Sequence, residues 1–153
     1  MSATPSPRGR AWLRAGLAYL AFTEAVVGAW QLLLPKSFYD DFPLPGHPWV
    51  SSLPPYNEHL MRDVGGLNLG LALILAVAAI RLGATLARTA VSGYLLFALP
   101  HLLFHLGHLH GLAPIDLAGQ VVTLVIGVIV PIALLYGLRH RTAGERAGAG
   151  TAA

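Results

Sequence analysis

Histidine is concentrated in one ten-residue stretch, HLLFHLGHLH, at residues 101–110. His101, His105 and His108 follow one another at positions i, i+4 and i+7, and this spacing places them on one stripe of a helix. Imidazole nitrogens in this arrangement can chelate zinc, copper or iron, and a carboxylate from another helix can complete the coordination. The stripe therefore indicates a candidate metal site made of these three histidines.

A structural interpretation of the same stripe stays open. His101 and His105 can be neutral, hydrogen-bonded packing residues, while His108 and His110 lie where the helix meets water. Haem held by two histidines would need His59 or a second subunit, because the other intramembrane histidines share one helix. The cofactor is thus left open between a transition metal, haem and quinone.

Six further polar residues recur at helical spacing next to or within apolar stretches: Glu24, Gln31, His59, Asp63, Asp116 and Gln120. A carboxylate in mid-membrane costs about 2.5–3.5 kcal/mol, so Glu24 should face the interior of a helix bundle. If the stripes converge with the histidines, they form a His/carboxylate pocket open to the outside. The structural alternatives are a hydrogen-bonded Glu24, an interfacial ion-pair network around Asp63, and an Asp116 that favours a helix N-terminus.

The elements that must position these residues are four apolar stretches of about the length that crosses a bilayer. The chain has 153 residues, of which 55% are hydrophobic and 11% charged, so an ordinary soluble domain is excluded. The predicted spans are about 11–34, 60–80, 87–108 and 115–138, within one domain at 11–140. Short connections after the second and third spans favour neighbouring antiparallel helices. The predicted fold class is an all-α integral membrane four-helix bundle with up-down topology.

The remaining segments are predicted to lie outside the spans. Residues 35–59 contain six prolines and are expected to form an outer loop whose aromatic side chains suit the headgroup layer. Residues 1–10 and 141–153 are predicted to be disordered. The chain has no cysteine, which excludes thiolate metal sites and disulfides.

The basic residues predict the orientation. Eight of the ten fall on one side of an even number of spans: Arg8, Arg10, Arg14, Arg81, Arg88, Arg139, Arg141 and Arg146. The positive-inside rule makes that side, and both termini, cytoplasmic. The prediction is a multi-pass protein of the cytoplasmic membrane whose main partner is the lipid bilayer. Because topology explains the arginines, nucleic acid is not expected as a partner.

Two segments carry a family resemblance. WLRAGLAYLAFTEAVVGAWQLLLP, from the first span, and DVGGLNLGLALILAVAAIRLGATLAR, from the second span and the connection after it, lie within residues 12–88, about half of the chain. They resemble the DoxX-like superfamily of small four-helix bacterial membrane proteins. The resemblance implies a four-helix bundle in the cytoplasmic membrane, and some relatives are subunits associated with quinone-linked sulfur oxidation or oxidative-stress complexes. HLLFHLGHLH lies outside this resemblance.

Three classes of function follow. The first is a membrane protein that binds a metal, haem or quinone in the outward pocket, as a redox enzyme or its subunit. The second is a non-catalytic membrane subunit or scaffold, acting as a homo-oligomer or with a partner in a membrane complex. The third is a proton-coupled carrier that uses Glu24 and the histidines, although the apolar inner halves of the helices disfavour an alternating path. Whether the chain is an enzyme is left open.

Overall fold

The computed structural model describes residues 7–150, with the side chains of residues 9–139. This part of the chain forms five helices and one short two-stranded ladder. The elements are α1 (Pro7–Leu33), α2 (Pro35–Asp41), β1 (Pro43–Leu44), β2 (His47–Pro48), α3 (Glu58–Arg81), α4 (Ala84–Leu106) and α5 (Pro114–Gly150). The helical fold expected from the sequence is confirmed.

Four of the helices are long and apolar enough to cross a membrane. The segments concerned are Gly9–Leu33, Glu58–Arg81, Ala84–Leu106 and Pro114–Arg139. Only 22–33% of the residues in their most apolar windows are buried inside the protein. Large side chains such as Phe22, Leu67 and Leu96 are exposed instead. An apolar surface of this extent is typical of helices that face lipid.

Local sequence explains where the helices begin and end. The Asn57 side chain caps α3 by accepting a hydrogen bond of 3.0 Å from the Leu60 backbone N–H. At the other end of α3, Leu82 adopts a left-handed conformation with φ 53° and Gly83 starts the next helix as its N-cap. A proline opens both α2 and α5, where its fixed φ and missing N–H are tolerated.

The segments outside the spans hold more helix than the sequence predicts. Within the outer loop predicted at 35–59, the chain forms α2 and the paired strands β1 and β2, with Pro43 opposite Pro48. Residues 141–150 are helical where disorder is predicted, since alanine, glutamate and arginine in this stretch are good helix formers. The predicted disorder of residues 1–6 and 151–153 falls outside the described residues.

The closest packing in the molecule joins α1 to α3. Arg14, early in α1, donates from Nε to the carbonyl of Ala79, late in α3, over 3.3 Å. Gly28, late in α1, lies against Gly65, early in α3. The two helices therefore run antiparallel, and their separation is set by glycine at both sides of the contact.

The second packed pair is α4 with α5. An Arg88 terminal nitrogen donates to the Leu138 carbonyl over 2.7 Å. Tyr94 of α4 reaches towards Gly127 of α5, so these helices also run in opposite directions. The fully buried apolar core lies towards the end of the molecule where α1 begins and α5 continues beyond the span. Its largest members are Leu13, Leu17, Leu20, Leu75, Val91, Leu134 and Leu138.

Candidate functional site

Glu24 has the most deeply buried carboxylate among the described side chains. It lies in the middle of α1 and is only 6% exposed. Its Oε2 atom is buried without a hydrogen-bond partner among the described residues. Tyr94 of α4 lies within electrostatic range of Glu24, and a side chain on Gly127 would stand 3.1 Å from the Tyr94 hydroxyl. Because Gly127 has no side chain, the Tyr94 hydroxyl can lie close to the backbone of α5.

The face of α4 that carries the histidine stripe also carries Phe97, one turn after Tyr94 and one turn before His101. The rings of Phe97 and His101 stack with their centroids 5.0 Å apart. The rings of His101 and His105 meet edge to face at 4.6 Å. The His105 Nδ1 atom is buried and has no partner in the described part of the chain. His101 and His105 therefore form one half-buried imidazole pair.

His108 takes a different position from the two other histidines of the predicted stripe. Its ring stacks on Phe104 with a centroid distance of 4.1 Å, and its Nδ1 donates to the Phe104 carbonyl over 2.7 Å. The side chain is exposed. One of its two nitrogens is consequently already used within its own helix.

Gln120 lies on α5 at the level of the imidazole pair. Tyr94 of α4 faces Gly127 of α5. Because the two helices are antiparallel, seven residues forward from Tyr94 corresponds to seven residues back from Gly127, so His101 lies near the level of Gln120. At a rise of 1.5 Å per residue, that level is about 10 Å beyond Tyr94. Gln120 is 3% exposed, and its Oε1 atom is buried without a partner among the described residues.

The other predicted pocket residues already have partners. Gln31 accepts a 2.9 Å hydrogen bond from the buried amide of Asn68. His59 and Asp63 pair with each other over 3.2 Å on the surface of α3, with side chains 87% and 58% exposed. The structure does not bring His59 and Asp63 together with Glu24, because they lie at the exposed start of their helix. The buried atoms of Glu24, His105 and Gln120 that lack a partner among the described residues belong instead to α1, α4 and α5.

Asp116 anchors the outer loop. Its Oδ1 accepts hydrogen bonds from the Trp49 indole Nε1 at 3.1 Å and from His47 Nδ1 at 2.9 Å. These contacts join residues 67 and 69 positions apart in the chain, so no local motif could have predicted them. The carboxylate that was expected to face a pocket therefore holds the loop over the start of α5.

An aromatic cluster continues from this anchor into the loop. Trp49 packs edge to face on Phe42 at 6.0 Å, and Phe42 lies 4.6 Å from Phe38 and 5.9 Å from Trp30. Beside the cluster, Lys36 donates to Asp40 over 2.7 Å, and this hydrogen bond raises the pKa of Lys36. The loop is thus a folded cap made of aromatic rings with a charged rim.

The hydrogen bond between Gln31 and Asn68 gives a direct test of the α1–α3 contact. Replacing Asn68 with alanine removes the donor and leaves a buried amide oxygen on Gln31. We expect a loss of about 1 kcal/mol in the free energy of unfolding, the size found for hydrogen bonds between membrane helices. Denaturation of the detergent-purified protein measures it, and Ser92→Ala, at an exposed position of α4, serves as a polar-to-alanine comparison. An unchanged stability of Asn68→Ala would contradict the assignment.

The donor set gives little support to a metal centre. Within residues 9–139, no three side chains of histidine, aspartate, glutamate or cysteine are grouped so that they could hold a metal ion. The imidazole pair of His101 and His105 offers two ligands, and His108 points back to its own helix. A haem held by two histidines has the same difficulty, because His101 and His105 lie on one helix.

Comparison of the chain with known proteins adds no family assignment. No protein-family model, no curated protein and no solved structure matches the sequence or the fold.

Proposed function

We propose that the chain is an integral protein of the cytoplasmic membrane, with α1, α3, α4 and α5 as an antiparallel four-helix bundle and both termini in the cytoplasm. The apolar surface of the four helices supports insertion in a bilayer. Eight arginines lie on the same side of the bundle as both termini. They support the orientation, because basic residues are retained on the cytoplasmic side. The aromatic cap of residues 35–57 then lies in the outer headgroup layer.

We further propose that the outer half of the bundle binds the ring of a membrane quinone or quinol, as a subunit of a redox complex. The observation that carries this proposal is that Glu24 Oε2, His105 Nδ1 and Gln120 Oε1, on three different helices, are each buried without a hydrogen-bond partner among the described residues. A buried polar group that lacks a hydrogen bond costs about 1–3 kcal/mol. A ligand that satisfies several such groups recovers this free energy on binding.

The chemistry of His105 and Gln120 fits a ring that carries both carbonyl and hydroxyl groups. An imidazole nitrogen can donate a hydrogen bond to a quinone carbonyl or accept one from a quinol hydroxyl, and the Gln120 oxygen can accept from a hydroxyl. Glu24 lies near Tyr94, about 10 Å from the level of Gln120 along the bundle, and can exchange a proton at that depth. These residues would therefore bind, orient and move protons, while the ring carries the electrons.

The route to these groups suits a ligand that is dissolved in the bilayer. Phe97 is exposed on the face of α4 that carries the imidazole pair, so a hydrophobic ring can reach His101 sideways from the lipid. The stacked pair of Phe97 and His101 offers a flat surface for such a ring. The resemblance of the first two spans to the DoxX-like superfamily, with its quinone-linked members, points in the same direction.

Titration of the detergent-purified protein with short-chain benzoquinone and naphthoquinone analogues tests this proposal. We expect saturable binding to the wild type and a loss of about fivefold in affinity for His105→Ala and Gln120→Leu, since one neutral hydrogen bond is worth about 1 kcal/mol. His59→Ala, an exposed histidine, is the matched control and should bind like the wild type.

Two results would overturn it. Absence of saturable quinone binding to the wild type, or equal affinity of all variants, would leave the scaffold function as the better explanation. Elemental analysis of the same samples covers the metal alternative. Stoichiometric metal that disappears in a His101→Ala/His105→Ala variant would show a metal centre in place of a quinone site.

A further inference from the structure

An apolar groove lies on the surface where α1 meets α3, apart from the polar site. Two adjoining cavities of about 430 and 410 Å³ form it, and they share Ala21 and Ala76. Alanines from both helices supply most of its walls: Ala18, Ala21, Ala25, Ala72, Ala76 and Ala79. Because these side chains are small, the two helices leave a channel that opens sideways towards the lipid.

The length of this groove matches one leaflet of a bilayer. It extends from Arg14 to Ala25 along α1 and from Leu69 to Ile80 along α3. Eleven residues of helix rise about 16 Å, and half of the bilayer hydrocarbon is about 15 Å thick. A single extended acyl chain of that leaflet therefore fits along the groove.

One end of the groove is positively charged. Arg14 lines this end and is exposed, and it uses only Nε for its 3.3 Å hydrogen bond to the Ala79 carbonyl. Arg10 lies one turn earlier on α1, and Arg81 follows Ile80 on α3. The carboxylates with described side chains lie elsewhere, in mid-helix or at the opposite end: Glu24, Asp40, Asp41, Glu58, Asp63 and Asp116. The mouth of the groove thus offers a cationic site without a neighbouring described acid.

We propose that this groove holds an anionic phospholipid, with one acyl chain along the alanines and the phosphate at Arg14. The terminal nitrogens of a guanidinium match the geometry of phosphate oxygens. Basic sites between helices on the cytoplasmic side are suited to anionic headgroups. This inference depends on the membrane location but not on the quinone site, since the groove opens at the other end of the bundle.

Native mass spectrometry of the full-length, delipidated protein tests the proposal with phosphatidylglycerol and phosphatidylcholine of identical acyl chains. We expect phosphatidylglycerol to bind about fivefold more tightly, the effect of one arginine near a membrane surface. Arg14→Gln should abolish this preference. Ala18→Leu, at an exposed position in the groove wall, should weaken the binding of both lipids.

Two control variants distinguish a specific lipid site from a general effect of positive charge or of a larger side chain. Arg139→Gln removes another arginine near that end, and Ala118→Leu enlarges an exposed alanine on α5. Both should bind phosphatidylglycerol like the wild type. Equal binding of the two lipids by the wild type, or an effect of Arg139→Gln as large as that of Arg14→Gln, would overturn the proposal. Quinone titration of Arg14→Gln should be unchanged, so the failure of one proposal is distinguishable from the failure of the other.

Discussion

Replacing Gly65 with alanine is expected to destabilise the protein by about 1–3 kcal/mol, the usual cost of overfilling a packed contact. The same replacement at the next residue, Gly66, should have the opposite sign and stabilise by up to about 1 kcal/mol, because alanine favours a helix over glycine. The two substitutions are chemically identical and adjacent. Only the space around each Cα distinguishes them.

The neighbours of Gly65 are backbone atoms that cannot turn away. A Cβ at this position would stand 2.6 Å from the Leu32 nitrogen and 2.9 Å from the Gly28 carbonyl oxygen. At Gly66 a Cβ would meet nothing within 4 Å. To accommodate Gly65→Ala, α1 and α3 must separate, and the nearby hydrogen bond between Gln31 and Asn68 would lengthen with them.

Reversible unfolding of the detergent-purified variants measures this difference. Gly28→Ala should resemble Gly65→Ala, since its Cβ would lie 2.8 Å from the Gly65 carbonyl oxygen. The double variant should cost less than the sum of the two, because one separation of the helices relieves both clashes. If Gly65→Ala is as stable as Gly66→Ala, the close approach of α1 and α3 is wrong.

Gly65 and Gly66 also show that a sequence pattern does not determine which of two adjacent glycines lies at a helix contact. Glycines in an apolar stretch predict close helix contact, and Gly65 does make such a contact. The neighbouring Gly66 and the later Gly70 have open space around them. The angular position of a helix about its axis decides which glycine meets its neighbour, and weak amphipathicity in an all-round apolar helix leaves that angle undefined by the sequence.

Apolar length and charge position were sufficient to predict the four long helices. A run of about 20 apolar residues has few structural alternatives. The burial of Glu24 could be anticipated from the same reasoning, because a carboxylate in such a run avoids lipid. Gln120 was predicted as a pocket residue from its helical spacing. The position of Tyr94 near Glu24 and Gly127 could not be predicted, since it depends on the register of α4 against α5.

The histidine stripe illustrates a second limit. Spacing places His101, His105 and His108 on one face of α4, but it does not determine where each ring turns. His108 lies just beyond the C-cap of α4, where the Phe104 carbonyl accepts from the Gly107 N–H over 3.1 Å. The His108 imidazole donates a second hydrogen bond to the same carbonyl. The candidate site therefore contains two of the three predicted histidines.

The outer loop is anchored to α5 largely by the side chain of Trp49, so replacing this residue is expected to have a large effect on the loop. Trp49 donates its indole N–H to Asp116, packs on Phe42, and lies 3.0 Å from the position that a Cβ on Gly119 would take. One residue thus joins the loop, the aromatic cluster and α5. Replacing Trp49 with alanine removes all three contacts together.

We expect Trp49→Ala to destabilise the attachment of residues 43–56 by about 3 kcal/mol, the lower end of the range for replacing tryptophan with alanine in a packed site. Trp49→Phe keeps the ring contact with Phe42 and loses only the hydrogen bond to Asp116, so its effect should be about 1–2 kcal/mol. Hydrogen exchange of the backbone amides in residues 43–56 measures both, and 3 kcal/mol corresponds to a loss of protection of more than about a hundredfold. Exchange within α3 should remain unchanged, because its N-cap at Asn57 is independent of the anchor. If exchange in the loop is the same in Trp49→Ala as in the wild type, the loop is held by other contacts and the cap does not depend on α5.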